Sequence, residues 1–467
     1  DRYSRHGIRA APFPRPASIA PWRATSIMSR PGQRWSRRRA RALLRHSGPT
    51  SLLFRRRLAL IGGAVLVGLA ALAFAWAADE ATEAFHRLAT ANRWLPLLLT
   101  PLGFAALAWI TRSVAPFAGG SGIPQVIAAT QLPEKVGRCL VDLRMALLKV
   151  VLTIAGLLVG ASVGREGPTV QISAAILARV HALLNVPLRA SVMVAGGAAG
   201  VAAAFNTPLA GIAFAIEELA SAYEQRMTLL VITAVIISGM VSLGVAGDYV
   251  YFGAVAAHLP LQSAVPVALL AGLLGGMSGG LFARLALDAA TARNRMTDWM
   301  RAHPVLFAGG CGLLVAAIGV ATGLTWGTSY APARTMIAGG DQPLWFAPAK
   351  FLSTLATSVS GIPGGIFAPS LATGAGFGNL LRWIFPGEPA SAVVLLGMVA
   401  YFTGVVRAPL TAVIIISETT GSRGFMLPLL GAALVADASA QIFCRERLYH
   451  GLSRNFLERA KAAEASR

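Results

Sequence analysis

Charged residues are scarce in this chain of 467 residues. Only 13% are Asp, Glu, Lys or Arg and 55% are hydrophobic, whereas a soluble domain carries about 25% charged residues. Several stretches have no formal charge, and most reach the roughly 20 residues that cross a bilayer as a helix. They are Leu58–Ala78, Trp94–Thr111, Ala190–Ile216, Met227–Gly247, Pro304–Ala333 and Phe351–Leu381. This composition excludes an ordinary soluble domain and predicts a polytopic, all-α membrane protein.

Cysteine is also rare, and no cluster of catalytic or metal-binding residues is visible. Cys139, Cys311 and Cys444 are far apart and lack metal-ligand spacing, so we expect them to pack as small apolar side chains. The seven histidines form no cluster, and there is no Gly-rich phosphate loop, Ser/His/Asp arrangement or zinc motif. We therefore predict a protein that is not an enzyme and has no cofactor or metal.

Acidic residues are few, and the excess of basic residues is concentrated at the N-terminus. The formal net charge is +21, and residues 1–57 contain 15 Arg and one Asp. This Pro-rich segment has no apolar period, so we expect a disordered tail. The positive-inside rule places it in the cytoplasm, next to anionic lipid headgroups. Nucleic-acid binding is the competing interpretation, and we do not favour it. The chain begins at Asp1, and Met28 is a candidate for the true start.

Glycine and proline, in contrast, are abundant, with 49 and 26 residues, and they interrupt the apolar stretches. Backbone breaks at membrane depth are tolerated only where protein or a water-filled cavity covers them. One break, Gly164–Pro168 (GREGP), contains the acid Glu166. An ionisable acid at this depth is costly and by default marks ion or proton handling. These features predict an internal pathway for a charged solute.

The chain contains an internal repeat. A shift of 201 residues brings together Gly164 and Gly365, Pro168 and Pro369, Pro208 and Pro409, and Glu217 and Glu418. Transporters built from repeats bind substrate between the repeats, with the N-termini of broken helices facing anions. Three glycine-rich runs stand at apparent helix starts, namely Gly119–Pro124, Gly164–Gln171 and Gly364–Thr373. Any one alone is better explained as an ordinary helix cap, but together they predict an anion site.

The same runs carry a family resemblance. Gly120–Pro124 (GSGIP), Gly164–Pro168 (GREGP) and Gly364–Pro369 (GGIFAP) resemble, in order, the three signature motifs of the CLC family of chloride channels and proton-coupled chloride exchangers. The similarity continues through Arg407–Leu410 to Tyr449 and covers about residues 50 to 460. It implies two inverted repeats of tilted, broken helices. It also implies a homodimer with one pore per subunit, in the cell (inner) membrane, with both termini cytoplasmic.

The resemblance implies a set of anion-binding residues. They are Ser121, Gly122, Gly167, Ile366, Phe367 and Tyr449. The hydroxyls of Ser121 and Tyr449 would hold the central anion, because a neutral O–H replaces a water of hydration without trapping the ion. Ile366 and Phe367 would contribute backbone N–H groups. Without the surrounding motifs, a helix cap for Ser121 and an interfacial aromatic for Tyr449 would be preferred.

The resemblance also assigns the charged residues. Glu166 would be a gate that blocks the path when ionised and swings aside when protonated. Glu218 resembles the inner glutamate that passes protons in exchangers, although a solvated charge at a helix end is the alternative. Lys149 aligns with a basic residue near the cytoplasmic anion entrance, and a topogenic lysine in a basic loop is the alternative. Together these residues predict H⁺/Cl⁻ exchange, with a passive voltage- or pH-gated chloride channel as the alternative.

Two positions qualify the resemblance. Gln125 stands where many relatives have Glu, whereas Ser121 favours chloride because nitrate-preferring relatives have proline there. We expect a tail over residues 1–57, a transmembrane domain over 58–452 with halves of about 58–250 and 260–452, and a short cytoplasmic tail over 453–467. That tail is too short for a regulatory nucleotide-binding domain. A transporter of an organic solute, or a scaffold organised by the Arg-rich tail, stays open as a more distant alternative.

Overall fold

The computed structural model describes residues 49–220, 225–247, 250–255 and 259–465. Within them the chain is almost entirely helical and contains no β-sheet, only two isolated β-bridges. The chain from Leu52 onward forms one compact unit. The predicted tail lies outside the described residues up to residue 48, and residues 49–57 already belong to the first helix. The prediction of an all-α polytopic fold is confirmed.

The first half contains nine helices in the described residues. They are α1 (Pro49–Ala91), α2 (Pro96–Ser113), α3 (Ile123–Gln131), α4 (Glu134–Gly137), α5 (Leu143–Leu158), α6 (Glu166–Leu183), α7 (Ala190–Phe205), α8 (Pro208–Phe214) and α9 (Gln225–Ala246). A π-helical turn over Ala215–Leu219 follows α8 without a break.

The second half contains ten helices in the described residues. They are α10 (Leu261–Thr291), α11 (Arg295–Ala302), α12 (Pro304–Thr322), α13 (Tyr330–Ile337), α14 (Phe346–Val359), α15 (Phe367–Leu381), α16 (Ala390–Val406), α17 (Pro409–Thr420), α18 (Met426–Phe443) and α19 (Leu448–Ala465). The last helix includes most of the segment expected to be a C-terminal tail, and its residues Ser453 and Ala460 are buried.

Five helices in the described part of the chain are long and apolar enough to cross a membrane. They cover Ser51–Ala91, Thr228–Ala246, Gln262–Thr291, Pro304–Thr322 and Met426–Phe443. The Gln262–Thr291 helix was not among the uncharged stretches, because it contains Arg284 and Asp288 near its end. Large apolar side chains are exposed on these helices, as expected for surfaces that face lipid rather than water.

Three uncharged stretches that were long enough to span the bilayer are broken. Ala190–Ile216 divides at Asn206, whose φ of 57° is left-handed, and Pro208 then starts the next helix. Pro304–Ala333 divides after Thr322, where Gly323 ends α12 at a φ of 72°. A left-handed residue past a helix end and a proline at the next start are general stop and start devices. The third stretch, Phe351–Leu381, divides at the GGIFAP motif.

The internal repeat is visible in the positions of the helices. Helices α6 and α15 begin at Glu166 and Phe367, and α8 and α17 begin at Pro208 and Pro409, all at the offset of 201 residues. The breaks before α8 and α17 are also equivalent, because Asn206 and Arg407 are left-handed with φ of 57° and 65°. The two halves therefore share one backbone plan.

The two halves exchange helix caps. The carboxylate of Glu217 accepts the Thr411 backbone N–H at 2.7 Å, at the start of α17. Its repeat equivalent, Glu418, accepts the Ala210 backbone N–H at 2.8 Å, at the start of α8. An acid at a helix N-terminus satisfies free N–H groups and is favoured by the helix dipole. Because each equivalent residue caps the other half, the halves are related by an approximate two-fold axis, as inverted repeats are.

Candidate functional site

Backbone hydrogen bonds join the three motif loops. Gly164 and Gly365 form an antiparallel bridge, with N–H···O distances of 2.7 and 2.8 Å. Gly120 pairs with Pro363 in a parallel bridge, and the Gly364 N–H donates to the Gly120 carbonyl at 3.3 Å. Since Gly164 and Gly365 are repeat equivalents, the approximate two-fold axis passes between them. The bridges bring the starts of α3, α6 and α15 together.

Glycine is required where the first and second motifs meet. Gly122 has a φ of 111°, which only glycine adopts readily. A Cβ at this residue would stand 2.6 Å from the carbonyl oxygen of Gly167, and a Cβ on Gly167 would collide with the hydroxyl of Ser121. The structure thus places Gly122 and Gly167 beside Ser121, as expected from the motifs.

A cavity of about 670 Å³ reaches this meeting point. Ser121, Ile366 and Tyr449 line it. Ser121 is 8% exposed and Tyr449 is fully buried. Their hydroxyls lie close to each other, and neither has a further hydrogen-bond partner among the described residues. The hydroxyl of Thr111, which also lines the cavity, is unpaired as well. Unpaired hydroxyls that line a cavity are available to bind water or a ligand.

Phe367 lies behind the cavity wall rather than in it. It is the first residue of α15 and is 1% exposed. Its ring is stacked nearly parallel to that of Tyr449, with centroids 6.1 Å apart, and meets the edge of Phe214 at 5.7 Å. Its side chain therefore holds the Tyr449 ring in position, while its backbone starts the helix.

Glu166 is the first residue of α6 and is 1% exposed. Neither carboxylate oxygen forms a well-aligned hydrogen bond among the described residues, although the backbone N–H groups of Glu166 and Ala368 lie close to the carboxylate. The carboxylate folds back over Gly164, so closely that a Cβ on Gly164 would collide with Oε2. Glu166 does not line the cavity that contains Ser121 and Tyr449. The acid is therefore sealed inside the protein at the point where the loops meet.

Arg165, the neighbour of Glu166, is held by the first helix. Its guanidinium donates to the Ala75 carbonyl and to Asp79 Oδ2, each at 2.7 Å, and the residue is 7% exposed. Both contacts tie the GREGP loop to α1. The structure assigns this arginine a supporting position.

Lys149 is not at an entrance, which corrects the expected position. It lies within α5, is fully buried, and donates from Nζ to the Gly120 carbonyl at 3.1 Å. The alternative of a lysine in a basic loop is also wrong, because this residue is in a helix. Its Nζ therefore lies behind the loop of the first motif, which lines the cavity.

Lys350, the repeat equivalent of Lys149, was missed from the sequence. It is fully buried in α14 and donates to Ser162 Oγ at 2.8 Å and to the carbonyls of Thr325 and Gly327 at 3.0 and 2.7 Å. Neither lysine forms an ion pair in the described part of the chain. Applying the 201-residue shift to Lys149 would have found it. A buried charge without a partner is costly unless another charge compensates it.

Arginines line the cavity and give it the basic character that was expected of Lys149 at the entrance. Arg112, Arg301 and Arg459 are lining residues, together with one acid, Glu458. Arg459 is fixed by a hydrogen bond to the Pro116 carbonyl at 2.9 Å. The net positive lining attracts anions into the cavity.

Gln125 gains a structural role. Its amide nitrogen donates to the Phe117 and Gly119 carbonyls, at 3.1 and 2.7 Å, and so fixes the loop before the first motif. An ionised glutamate at this position has no N–H or O–H to donate. The departure from relatives that carry Glu therefore changes how this loop is held.

Glu218 lies in the π-helical turn after α8 and is fully buried. Its Oε1 is 3.3 Å from Nδ1 of His450, the residue that follows Tyr449. Glu217, one residue earlier, caps α17 instead. The alternative of a solvated acid is therefore wrong for Glu218. Short π-helical turns are frequent at functional sites.

The fold and the site define a class, namely a polytopic membrane protein of inverted repeats whose broken helices begin around a polar cavity. The family model described as voltage gated chloride channel matches residues 102–441. This match covers most of the chain, so the protein belongs to that family, the CLC family of membrane transport proteins. The prediction of the family is confirmed.

Solved structures share this fold. A crystal structure of a slow cyanobacterial Cl⁻/H⁺ antiporter is 24% identical, with a TM-score of 0.74 over 86% of this chain and 98% of that one. A CLC-type fluoride/proton antiporter is 21% identical, with a TM-score of 0.72 over 85% and 97%. A eukaryotic CLC transporter is 23% identical, with a TM-score of 0.68 over 86% and 74%. At these identities the likeness establishes the fold.

Proposed function

We propose that this protein exchanges chloride for protons across a membrane, with Glu166 as the gate. The observation that carries the proposal is the pair of buried hydroxyls, Ser121 and Tyr449, which have no further partner among the described residues and lie at one cavity beside the starts of three helices. Hydroxyls and backbone N–H groups can replace the hydration shell of chloride without binding it irreversibly. By the positive-inside rule, we propose that the Arg-rich N-terminal segment lies on the cytoplasmic side of the membrane.

The charge distribution supports an anion rather than a cation as the transported ion. Lys149 and Lys350 are buried without carboxylate partners in the described residues, and Lys149 contacts the first motif directly. In a low-dielectric interior their positive field is weakly screened. A bound anion or an ionised Glu166 would compensate it. The same field explains why an anion and the carboxylate would compete for the site.

Glu166 has the position that a gate needs. Its carboxylate is enclosed by the second and third motifs, close to the backbone N–H groups of Glu166 and Ala368, and no well-aligned hydrogen bond among the described residues fixes it there. Ionised, it would block the passage and be favoured by the helix start. Protonated, it would lose that attraction and be free to turn away. The proton taken up in this step would link the two fluxes.

Replacing Gly164 by alanine tests the gate without substituting Glu166 itself. The new Cβ would collide with Glu166 Oε2, the flexible end of that side chain, while Gly164 has ordinary backbone geometry. We expect the carboxylate to be displaced, so that chloride flux into liposomes at neutral pH rises several-fold, roughly the size of losing one charge-assisted contact. Gly310→Ala is the matched control, because nothing lies within 4 Å of its Cβ. Unchanged flux in Gly164→Ala would contradict the gate.

We also propose that the protein is a homodimer. Helices α8 and α17 are too short to span a bilayer, and they expose Leu209 and Leu410 at 60% and 46%. Leu229 and Leu427 on α9 and α18 are exposed at 75% and 71%. Short helices at membrane depth need protein cover at their ends, and a second copy would provide it. A particle with the mass of one chain in mild detergent would contradict this proposal.

A further inference from the structure

His450 connects a solvent-accessible position to the buried carboxylate of Glu218. Its side chain is 32% exposed, whereas Glu218 is fully buried. The ring nitrogen Nδ1 is buried and lies 3.3 Å from Glu218 Oε1, close enough for a small rotation of the ring to align a hydrogen bond between them. One side of the ring therefore meets the carboxylate while another part of the side chain reaches solvent. Imidazole is the side chain best suited to gain and lose a proton near neutral pH.

The other charged groups near this contact are engaged elsewhere. The Arg447 guanidinium donates to the Glu217 carbonyl at 3.0 Å, and the Glu217 carboxylate caps α17. Glu446, which precedes α19, pairs at 2.8 Å with Arg454, which lies on α19. His450 is thus the titratable side chain in contact with the Glu218 carboxylate within the described residues.

The acids on the helices packed against α19, among the described residues, are each paired with an arginine. Helices α3 and α16 contain no ionisable Asp, Glu, Lys, Arg or His, although α16 contains Tyr401. On α10, Asp288 is 3.6 Å from Arg284. Glu134, the first residue of α4, pairs with Arg138, which follows that helix. Among the described residues, the contact between His450 and Glu218 is therefore the one we consider as a route for a proton at this end of α19.

We propose that His450 transfers protons between the aqueous phase and Glu218. A proton from water adds to the neutral ring, the proton on Nδ1 passes to Oε1, and neutral imidazole and a carboxylic acid remain. The reverse sequence returns the proton, so charge and atoms balance in both directions. This inference rests on the proposed exchange, because it names the entry point of the proton that Glu218 carries.

Proton and chloride fluxes of the full chain in liposomes test this role. A positioned proton-transfer group contributes about 100- to 10,000-fold in enzymes, and because water can reach this site we expect His450→Gln to lower proton flux about 10-fold. Chloride flux should stay close to that of the unaltered protein. In His450→Ala, imidazole added equally on both sides should restore proton flux. Glu218→Gln liposomes treated in the same way correct for passive carriage by imidazole.

The controls separate this role from a structural one. His303→Gln removes an exposed imidazole at the start of α12 and should leave both fluxes unchanged. An unaltered proton-to-chloride ratio in His450→Gln would overturn the inference, and so would a loss of proton flux in His450→Ala that imidazole does not restore. If the unaltered protein moves chloride without protons, the proposed exchange itself fails. Failure of the exchange is distinguishable from failure of the His450 proposal, because it is seen in the unaltered protein before any variant is measured.

Discussion

Replacing Glu166 by alanine should abolish proton transport and leave a chloride flux that no longer responds to pH. In the unaltered protein, protonation of the acid opens the passage, so chloride flux should rise as pH falls. Without the carboxylate nothing competes with chloride for the positive field of Lys149 and Lys350. Flux of the variant should change by less than about twofold between about pH 4.5 and pH 7.5, a range that starts near the usual glutamate pKa of about 4.3 and runs to neutral pH.

Glu166→Gln and Glu166→Asp sharpen this test. The glutamine is neutral and of equal length, so it should behave like the protonated acid and also lose proton transport. The aspartate keeps a charge on a shorter side chain and should retain part of the pH response. A Glu166→Ala protein whose chloride flux still rises several-fold at low pH would show that another group is the gate. Both fluxes are measured with ion-selective electrodes in the same liposome suspension.

Replacing Glu218 by glutamine should stop proton transport while chloride continues to flow. The carboxylate is fully buried, 3.3 Å from His450. The other titratable residue of this π-helical turn, Glu217, caps α17, so the substitution removes the one acid of the turn that can carry a proton here. A proton relay that loses its carrier should slow at least about 10-fold. The hydroxyls of Ser121 and Tyr449 are untouched, which is why the chloride path should persist.

Glu217→Gln is the matched control for this variant. Glu217 is one residue away, but its carboxylate accepts N–H groups at the start of α17. A glutamine oxygen can still accept such a bond, so both fluxes should remain, with a small loss of thermal stability at most. The reverse result, in which Glu217→Gln stops protons and Glu218→Gln does not, would mean that the two acids have exchanged roles.

The sequence was sufficient to predict the fold class and the repeat. The scarcity of charged residues and the long apolar stretches follow directly from burial in lipid. The three motifs are recognisable although they are short, because a helix start around an ion needs glycine and proline at fixed positions. The pairing of Gly164 with Gly365 followed the 201-residue shift. The resemblance predicted the family, which is confirmed, whereas the roles of Ser121, Tyr449 and Glu166 remain predictions.

Other features depended on tertiary contacts that composition does not encode. Uncharged runs do not reveal a break such as Asn206, because one left-handed residue hardly changes hydropathy. The resemblance placed Lys149 near the cytoplasmic anion entrance, whereas α5 buries it against Gly120. Glu217 and Glu218 are neighbours in sequence, and only the packing of α17 shows which one is a cap. His450 became visible through its contact with Glu218.

The most direct measurement of the central claim is simultaneous recording of chloride and proton movement by the purified, unaltered protein in liposomes. The vesicles are loaded with high chloride and diluted into low chloride at equal pH, with a potassium ionophore present to set the voltage. Chloride leaving down its gradient should drive protons into the vesicles, and clamping the voltage at zero should not prevent it. Chloride efflux without proton uptake would contradict exchange and identify a passive channel.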